Sequence, residues 1–209
     1  MLGSKAAFVP VGPNLPIPRD LQIRREHTSA RCIGVFSITG GEAGTRETRL
    51  ILAAIRHVTA HVGNVRLSVF GRHAEWREGD LKKGLKGLPV ELSVEGVLDP
   101  SDVVVRLCAC DVLFFVRGGI SSRRGSAIAG IACGLPVVAF SGSETAAPIT
   151  EAGVILVCPG AREELNAVLL RVLTDPIYRS ELGGRSRRAY ESYFAWSVIA
   201  SQFATIFKS

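Results

Sequence analysis

DVLFFVRGGISSRRGSAIAGIACGLPVVAFS, Asp111 to Ser141, carries the architectural signal of this chain. Val112 to Val116 is an unbroken run of β-branched, leucine and aromatic residues, the make-up of a strand buried on both faces. Arg117 to Ser126 is a polar turn rich in Gly, Ser and Arg. Ala127 to Cys133 has the small apolar residues of a helix packed tightly on a sheet. Gly134 stops that helix, and Pro136 to Phe140 reads as the next buried strand. Strand, polar turn, helix and strand make a βαβ unit, and ligands of such sheets gather at the carboxyl ends of the strands. Function is therefore expected at Arg117 to Ser126.

The same alternation continues on either side. Arg31 to Ile38 reads as the first strand. Thr39 to Thr45 (TGGEAGT) is a glycine-rich loop, with Thr45 expected to cap a helix from Arg46 to about His61. Leu50, Ala53, Ala54, His57 and Val58 are expected on one face of that helix. Such a loop offers free backbone N–H groups to an anion, although it matches neither GxGxxG nor the Walker pattern. Asn64 to Phe70 is the second strand, ending in Gly71-Arg72-His73, where His73 reads as a bystander. Leu81 to Leu85 fits a short helix and Val90 to Val94 the third strand. Gly96-Val97-Leu98 then leads into a helix from Asp99-Pro100 to about Ala109. Further on, Ser143 or Glu144 is expected to start a short helix and Gly153 to Cys158 to form a strand. Ala161 to Leu173 reads as a helix carrying Leu165, Val168, Leu169 and Val172 on one side. Ile177 to Leu182 is another turn or two, and Arg185 to about Phe207 a final helical region. Five or six strands alternating with helices predict an α/β open parallel sheet with helices on both faces. Met1 to Glu26 contains VPVGPNLPIPRD, too rich in Pro and Gly for a long helix or a central strand. It reads as a disordered end or as a connector from a preceding domain.

Composition narrows the class. The chain has 209 residues, 47% of them hydrophobic, and a formal net charge of +6. That is enough for one sizeable core and argues against disorder. No apolar run approaches the ~20 residues a bilayer span needs, and no signal sequence precedes the first strand, so a cytoplasmic protein is expected. The basic balance suits an anionic partner without choosing among nucleotide diphosphate, nucleic acid and lipid. Cys32, Cys108, Cys110, Cys133 and Cys158 lie in or beside apolar segments, and Cys108-Ala-Cys110 is no redox or zinc motif. They are expected to be buried small residues in a reducing compartment. The histidines show no metal-ligand pattern, and no metal is assigned.

IACGLPVVAF (Ile131 to Phe140), the preceding CDVLFFV and the tail LTDPIYRSELGGRSRRAYESYFAW resemble the C-terminal, donor-binding domain of GT-B glycosyltransferases. The similarity is to the large retaining group often called group 1 or family 4. It rests on Ala132-Cys133-Gly134-Leu135-Pro136, on Asp175-Pro176 with Arg179 and Leu182-Gly183, and on Phe194-Ala195-Trp196. VPVGPN also looks like the connector of that family. The resemblance implies a Rossmann-like fold forming one half of a GT-B enzyme. Residues 1–26 would be the linker from a missing N-terminal domain and residues 27–209 the nucleotide-sugar domain. It further implies transfer of a sugar from a nucleotide-diphosphate sugar to an unidentified acceptor, with no cofactor, and retention at the anomeric carbon.

By that resemblance the diphosphate would be held without a metal by Gly40, Gly41 and Arg46, by Arg117, Gly118 and Gly119, and by Ser121, Ser122, Arg123, Arg124, Gly125 and Ser126. Gly71 and Arg72 would complete the site, with Val97 and Leu98 flanking the base through their backbone. The family pattern also places glutamates at what are here Ser121 and Ala129, so both carboxylates are missing. The usual Arg…Lys pair after the first strand is missing too, with Arg46 the substitute. No catalytic residue is assigned. The acceptor would be met by the missing N-terminal domain, so the isolated chain would transfer little. Peripheral membrane contact by a full-length protein stays open. A non-catalytic phosphate- or nucleotide-binding module is the alternative reading. A nucleotide-sugar epimerase lacks the acidic or His residues it would need, and nucleic acid fits poorly because the Arg clusters lack interleaved aromatics.

Overall fold

A computed structural model describes residues 8–18 and 30–207 of the chain. Six parallel strands form one sheet: β1 (Arg31–Phe36), β2 (Val65–Phe70), β3 (Val90–Glu95), β4 (Val112–Gly119), β5 (Val137–Phe140) and β6 (Val154–Val157), in the order β3-β2-β1-β4-β5-β6. Among the described residues, seven α-helices cover it: α1 (Gly41–Val62), α2 (Glu78–Leu85), α3 (Pro100–Cys108), α4 (Gly125–Ala132), α5 (Arg162–Thr174), α6 (Pro176–Ala189) and α7 (Trp196–Ile206). The strand order reverses between β1 and β4, so their carboxyl ends open the crevice where ligands of such sheets bind.

The central apolar run behaves as a strand buried on both faces must. Val112, Phe114 and Val116 join one core with Ile51, Ile55 and Val58 of α1 and Leu169 of α5. Leu113 and Phe115 join the opposite core with Leu107 of α3 and Ile128 and Ile131 of α4. Each fully buried side chain of this size contributes about 1.5–3 kcal/mol. The small residues of α4 have a direct cause: a Cβ at Gly130 would come within 2.5 Å of Leu113 Cδ2, so the helix rests on the strand.

The tail motif is structural. The Asp175 carboxylate accepts the Tyr178 N–H at 2.9 Å and caps α6. One turn on, buried Arg179 donates to the Val172 and Leu173 carbonyls that end α5, and its Nε lies 3.5 Å from Asp111 at the amino edge of β4. Asp111 also accepts the Cys32 N–H at 2.9 Å, tying β4 to β1.

Several expectations change. Helix α1 starts at Gly41, before the predicted cap, and Thr45 donates to the Gly41 carbonyl from inside the first turn. Its inward face carries Glu47, Ile51, Ala54, Ile55 and Val58, rotated from the predicted one, and Ala53 is exposed. No helix begins at Ser143 or Glu144. There Thr145 Oγ1 accepts from Gly142 N and donates to the Ile120 carbonyl, closing a turn, and the only helical piece of this stretch is a 3-10 turn, Ile149–Glu151. Helix α6 runs unbroken through Gly183 and Gly184, whereas the expected final helix is interrupted by a π turn at Tyr190–Phe194 and by extended Ala195. Of the cysteines, all free thiols, Cys32, Cys110 and Cys133 are buried, but Cys158 is exposed.

Of the expected connector, residues 1–7 and 19–26 lie outside the described residues. Residues 8–18 run along the domain surface. Pro13 accepts the Trp196 indole N–H at 2.8 Å, Gly12 packs on the indole ring, and Val11 N donates to the Ser122 carbonyl at 3.3 Å. Among the described residues, no helix is long and apolar enough to cross a membrane.

Candidate functional site

Four loops meet at the switch point. After β1 the chain turns through Ser37 (φ 67°) and extended Gly40 into α1. The first turn of α1 has no side-chain cap, so its N–H groups face the crevice with the positive end of the helix dipole. Gly44 is dictated by packing: a Cβ there would overlap the Thr39 carbonyl oxygen. The loop is fastened twice. Buried Glu47 accepts the Thr39 N–H at 2.7 Å, and Arg77 donates to the Gly41 carbonyl at 2.6 Å and to Thr45 Oγ1 at 3.1 Å. Neither fastener was expected from sequence. Glu47 looks there like one more polar helix residue, and Arg77 acts across a neighbouring βα unit.

On the other side, β4 bulges against β5 between Phe115 and Gly119, with Gly118 at φ 71°. A Cβ at Gly119 would approach Gly142 Cα to 2.8 Å, so this glycine serves backbone packing against the β5 loop. Half-buried Arg117 is the central cation. Burial pulls its guanidinium below the usual value, Glu47 draws it up, and the like charges of Arg124 and Arg72 press it down again. Its Nε is buried and, among the described residues, has no hydrogen-bond partner.

The residues expected to hold a donor do not converge on one hollow. Arg46, Gly118 and Gly119 line a cleft of about 330 Å³ between α1 and the ends of β4 to β6. Arg46 itself is largely exposed and pairs with Glu42. Gly71, Arg72 and Val97 line a second hollow of about 410 Å³ with His73, Glu75 and Trp76. Leu98 does not line that hollow and packs partly buried against the core that holds α3. Ser121, Ser122 and Arg123 line a third, of about 390 Å³, against Phe8, Val9 and Val11 of the connector.

Ser121 and Ser122 are buried, and exposed Arg123 forms an ion pair with Glu144 of the β5 loop. Ser121, Ser122 and Arg123 thus face the connector and the β5 loop. Arg124, at the start of α4 ahead of Gly125 and Ser126, is the loop arginine whose charge reaches Arg117. Gly40 sits against His73, its would-be Cβ 3.6 Å from Nε2, and Gly41 (φ 61°) faces open space. His73, set aside as a bystander, is held at φ 64° with its ring 4.2 Å from that of Trp76. Ala129 is buried in α4, so no carboxylate enters from that position. Among the described residues, no three His, Cys, Asp or Glu groups converge as metal ligands would.

Comparison with known proteins bears on the fold. No protein-family model matches the chain. A GDP-mannose-dependent monoacylated alpha-(1-6)-phosphatidylinositol monomannoside mannosyltransferase of Corynebacterium glutamicum is 28% identical over 120 residues, 54% of this chain and 32% of the relative. Sucrose-phosphate synthase from Thermosynechococcus elongatus superimposes with a TM-score of 0.69 at 22% identity, over 97% of this chain and 52% of the synthase. The C-terminal domain of a group 1 glycosyltransferase, LpcC, from Francisella tularensis superimposes with a TM-score of 0.60 at 15% identity, over 88% of this chain and 96% of that domain. The chain thus spans about a third of the mannosyltransferase and about half of the synthase, but nearly the whole of an isolated C-terminal domain. Sheet order, motifs and relatives agree that the chain has the architecture of the C-terminal domain of a group 1 GT-B glycosyltransferase.

Proposed function

We propose that this chain is the donor-binding half of a glycosyltransferase that moves a sugar from a nucleoside-diphosphate sugar to an acceptor held by a second domain. The observation that carries the reading is half-buried Arg117 at the switch point, near the uncapped amino end of α1. Its Nε has no hydrogen-bond partner among the described residues, and burial, Arg124 and Arg72 together oppose its charge by more than Glu47 offsets. Three like charges beside free N–H groups are relieved by a bound diphosphate. When the glycosidic bond breaks, negative charge grows on that diphosphate, and groups already fixed in place stabilise it without reorganising. The mannosyltransferase relative takes a donor of this chemical class. On this reading residues 1–26 connect the two domains, the anomeric configuration is retained, and the chain by itself transfers little because transfer needs both walls of the interdomain cleft.

Titration calorimetry tests this. Inorganic pyrophosphate should bind and compete with nucleoside diphosphates, and Arg117→Ala should weaken both while leaving a nucleoside unaffected. Absence of heat with pyrophosphate and with GDP, UDP and ADP alike defeats the proposal. A second reading, a binding module that has lost catalysis, is favoured by the missing carboxylates at Ser121 and Ala129. Sugar transfer or donor hydrolysis by a two-domain protein containing this chain excludes it.

A further inference from the structure

We infer that the hollow between the β2 and β3 loops reads a guanine base, which makes the donor a guanosine-diphosphate sugar. The inference rests on the donor reading above and adds the identity of the nucleotide.

Two side chains carry it. Trp76 is 70% exposed, unusual for an indole without a ligand-facing role, and it lines the hollow of about 410 Å³. Its ring is supported from beneath: the His73 imidazole lies 4.2 Å away at 44°, and His73 is in turn backed by Gly40 at the mouth of α1. An aromatic plate held in this way offers a base a stacking surface at little entropic cost.

Glu75 lines the same hollow. Its carboxylate lies on the Gly96 backbone, where a Cβ would come within 2.5 and 2.6 Å of its two oxygens, so the β3 loop must be glycine there. Among the described residues, the Glu75 carboxylate has no hydrogen bond or ion pair, whereas those of Glu78, Glu95 and Glu144 each pair with a cation.

The chemistry selects one base. A carboxylate is acceptor-only and presents two oxygens side by side. Guanine alone among the common bases carries two adjacent N–H donors, N1–H and the exocyclic amine, on its pairing edge. Adenine offers one donor edge beside a lone pair, which repels the second oxygen. Uracil offers one N–H between two carbonyls, both repelled. Arg72 lines the same hollow, and its charge reaches Arg117 at the switch point, where the diphosphate is expected. Base and diphosphate are therefore read by neighbouring parts of one surface.

Calorimetric titration of the whole chain with GDP, inosine diphosphate, ADP and UDP tests the inference. Inosine diphosphate differs from GDP only by the missing exocyclic amine. GDP should bind best, with inosine diphosphate weaker on the order of tenfold and ADP and UDP weaker still. Glu75→Gln should bring GDP down to about the level of inosine diphosphate while leaving UDP unchanged. Trp76→Ala should weaken GDP on the order of tenfold. Both side chains are exposed, so unchanged thermal midpoints are expected and separate binding from folding. Tighter binding of UDP or ADP, or a GDP preference that survives Glu75→Gln, overturns the guanine assignment and leaves the donor reading intact. Silence with all four nucleotides overturns the donor reading and the guanine assignment together.

Discussion

The two ends of this sheet treat arginine in opposite ways. At the amino edge, Arg179 is buried with Nη1 donating to two helix-terminal carbonyls and its charge beside Asp111, which also ties down β1. At the carboxyl edge, Arg117 is half-buried and feels the like charges of Arg124 and Arg72, and Glu47, the opposite charge that acts on it, already serves the Thr39 N–H. A buried cation set between two helix-terminal carbonyls and a carboxylate holds a fold together. A desolvated cation near its own kind is where a visiting anion recovers the most of the desolvation cost.

Substitutions at the two edges should therefore fail differently. The largest effect is expected for Arg179→Ala, which leaves two carbonyls unpaired in the interior and Asp111 with Arg31 as its remaining cation. A loss of about 3–5 kcal/mol in urea unfolding should follow, with nucleotide affinity of the folded fraction unchanged. A loss under about 1 kcal/mol would show that the amino edge does not depend on that pair. Gly44→Ala comes next, because its methyl would displace the Thr39 carbonyl. It should cost about 1–3 kcal/mol and also weaken diphosphate binding, since Thr39 and the first turn of α1 move as one. Arg117→Ala should reverse the pattern of Arg179→Ala. Stability should hold or rise as repulsion is removed, while diphosphate affinity falls by about 1.5–3 kcal/mol in calorimetry. A fall in stability without loss of affinity would make Arg117 a second Arg179.

The contrast also explains how far the sequence could be read. Strands were legible because a strand buried on both faces has no polar residue to blur it, as in Val112 to Val116, and α4 was legible because its small residues record contact with Leu113. The loops were legible in composition but not in direction. Ser121, Ser122 and Arg123 have the residue types of an anion cradle, yet Val11 and Glu144, distant in sequence, turn them toward the connector and the β5 loop. Thr45 failed as a cap because the glycines before it enter the helix, one of them at positive φ. Glu75 and Trp76 drew no notice because their meaning depends on Gly96, which lies in the next βα unit and whose missing side chain makes room for the carboxylate.

The smallest expected effect separates two adjacent arginines. Arg123 and Arg124 are both exposed in the same turn, but Arg123 spends its charge on Glu144 while Arg124 reaches Arg117. An exposed ion pair contributes roughly 0–1 kcal/mol, so Arg123→Ala should leave unfolding within about 0.5 kcal/mol and diphosphate affinity within about twofold. Arg124→Ala should weaken the diphosphate more than Arg123→Ala does, because it removes charge from the anion side of the turn. If Arg123→Ala proves the more damaging of the two, Arg123 must leave Glu144 when ligand arrives. Glu144→Gln, which frees Arg123 in advance, should then raise affinity and would reveal a loop that closes on the donor.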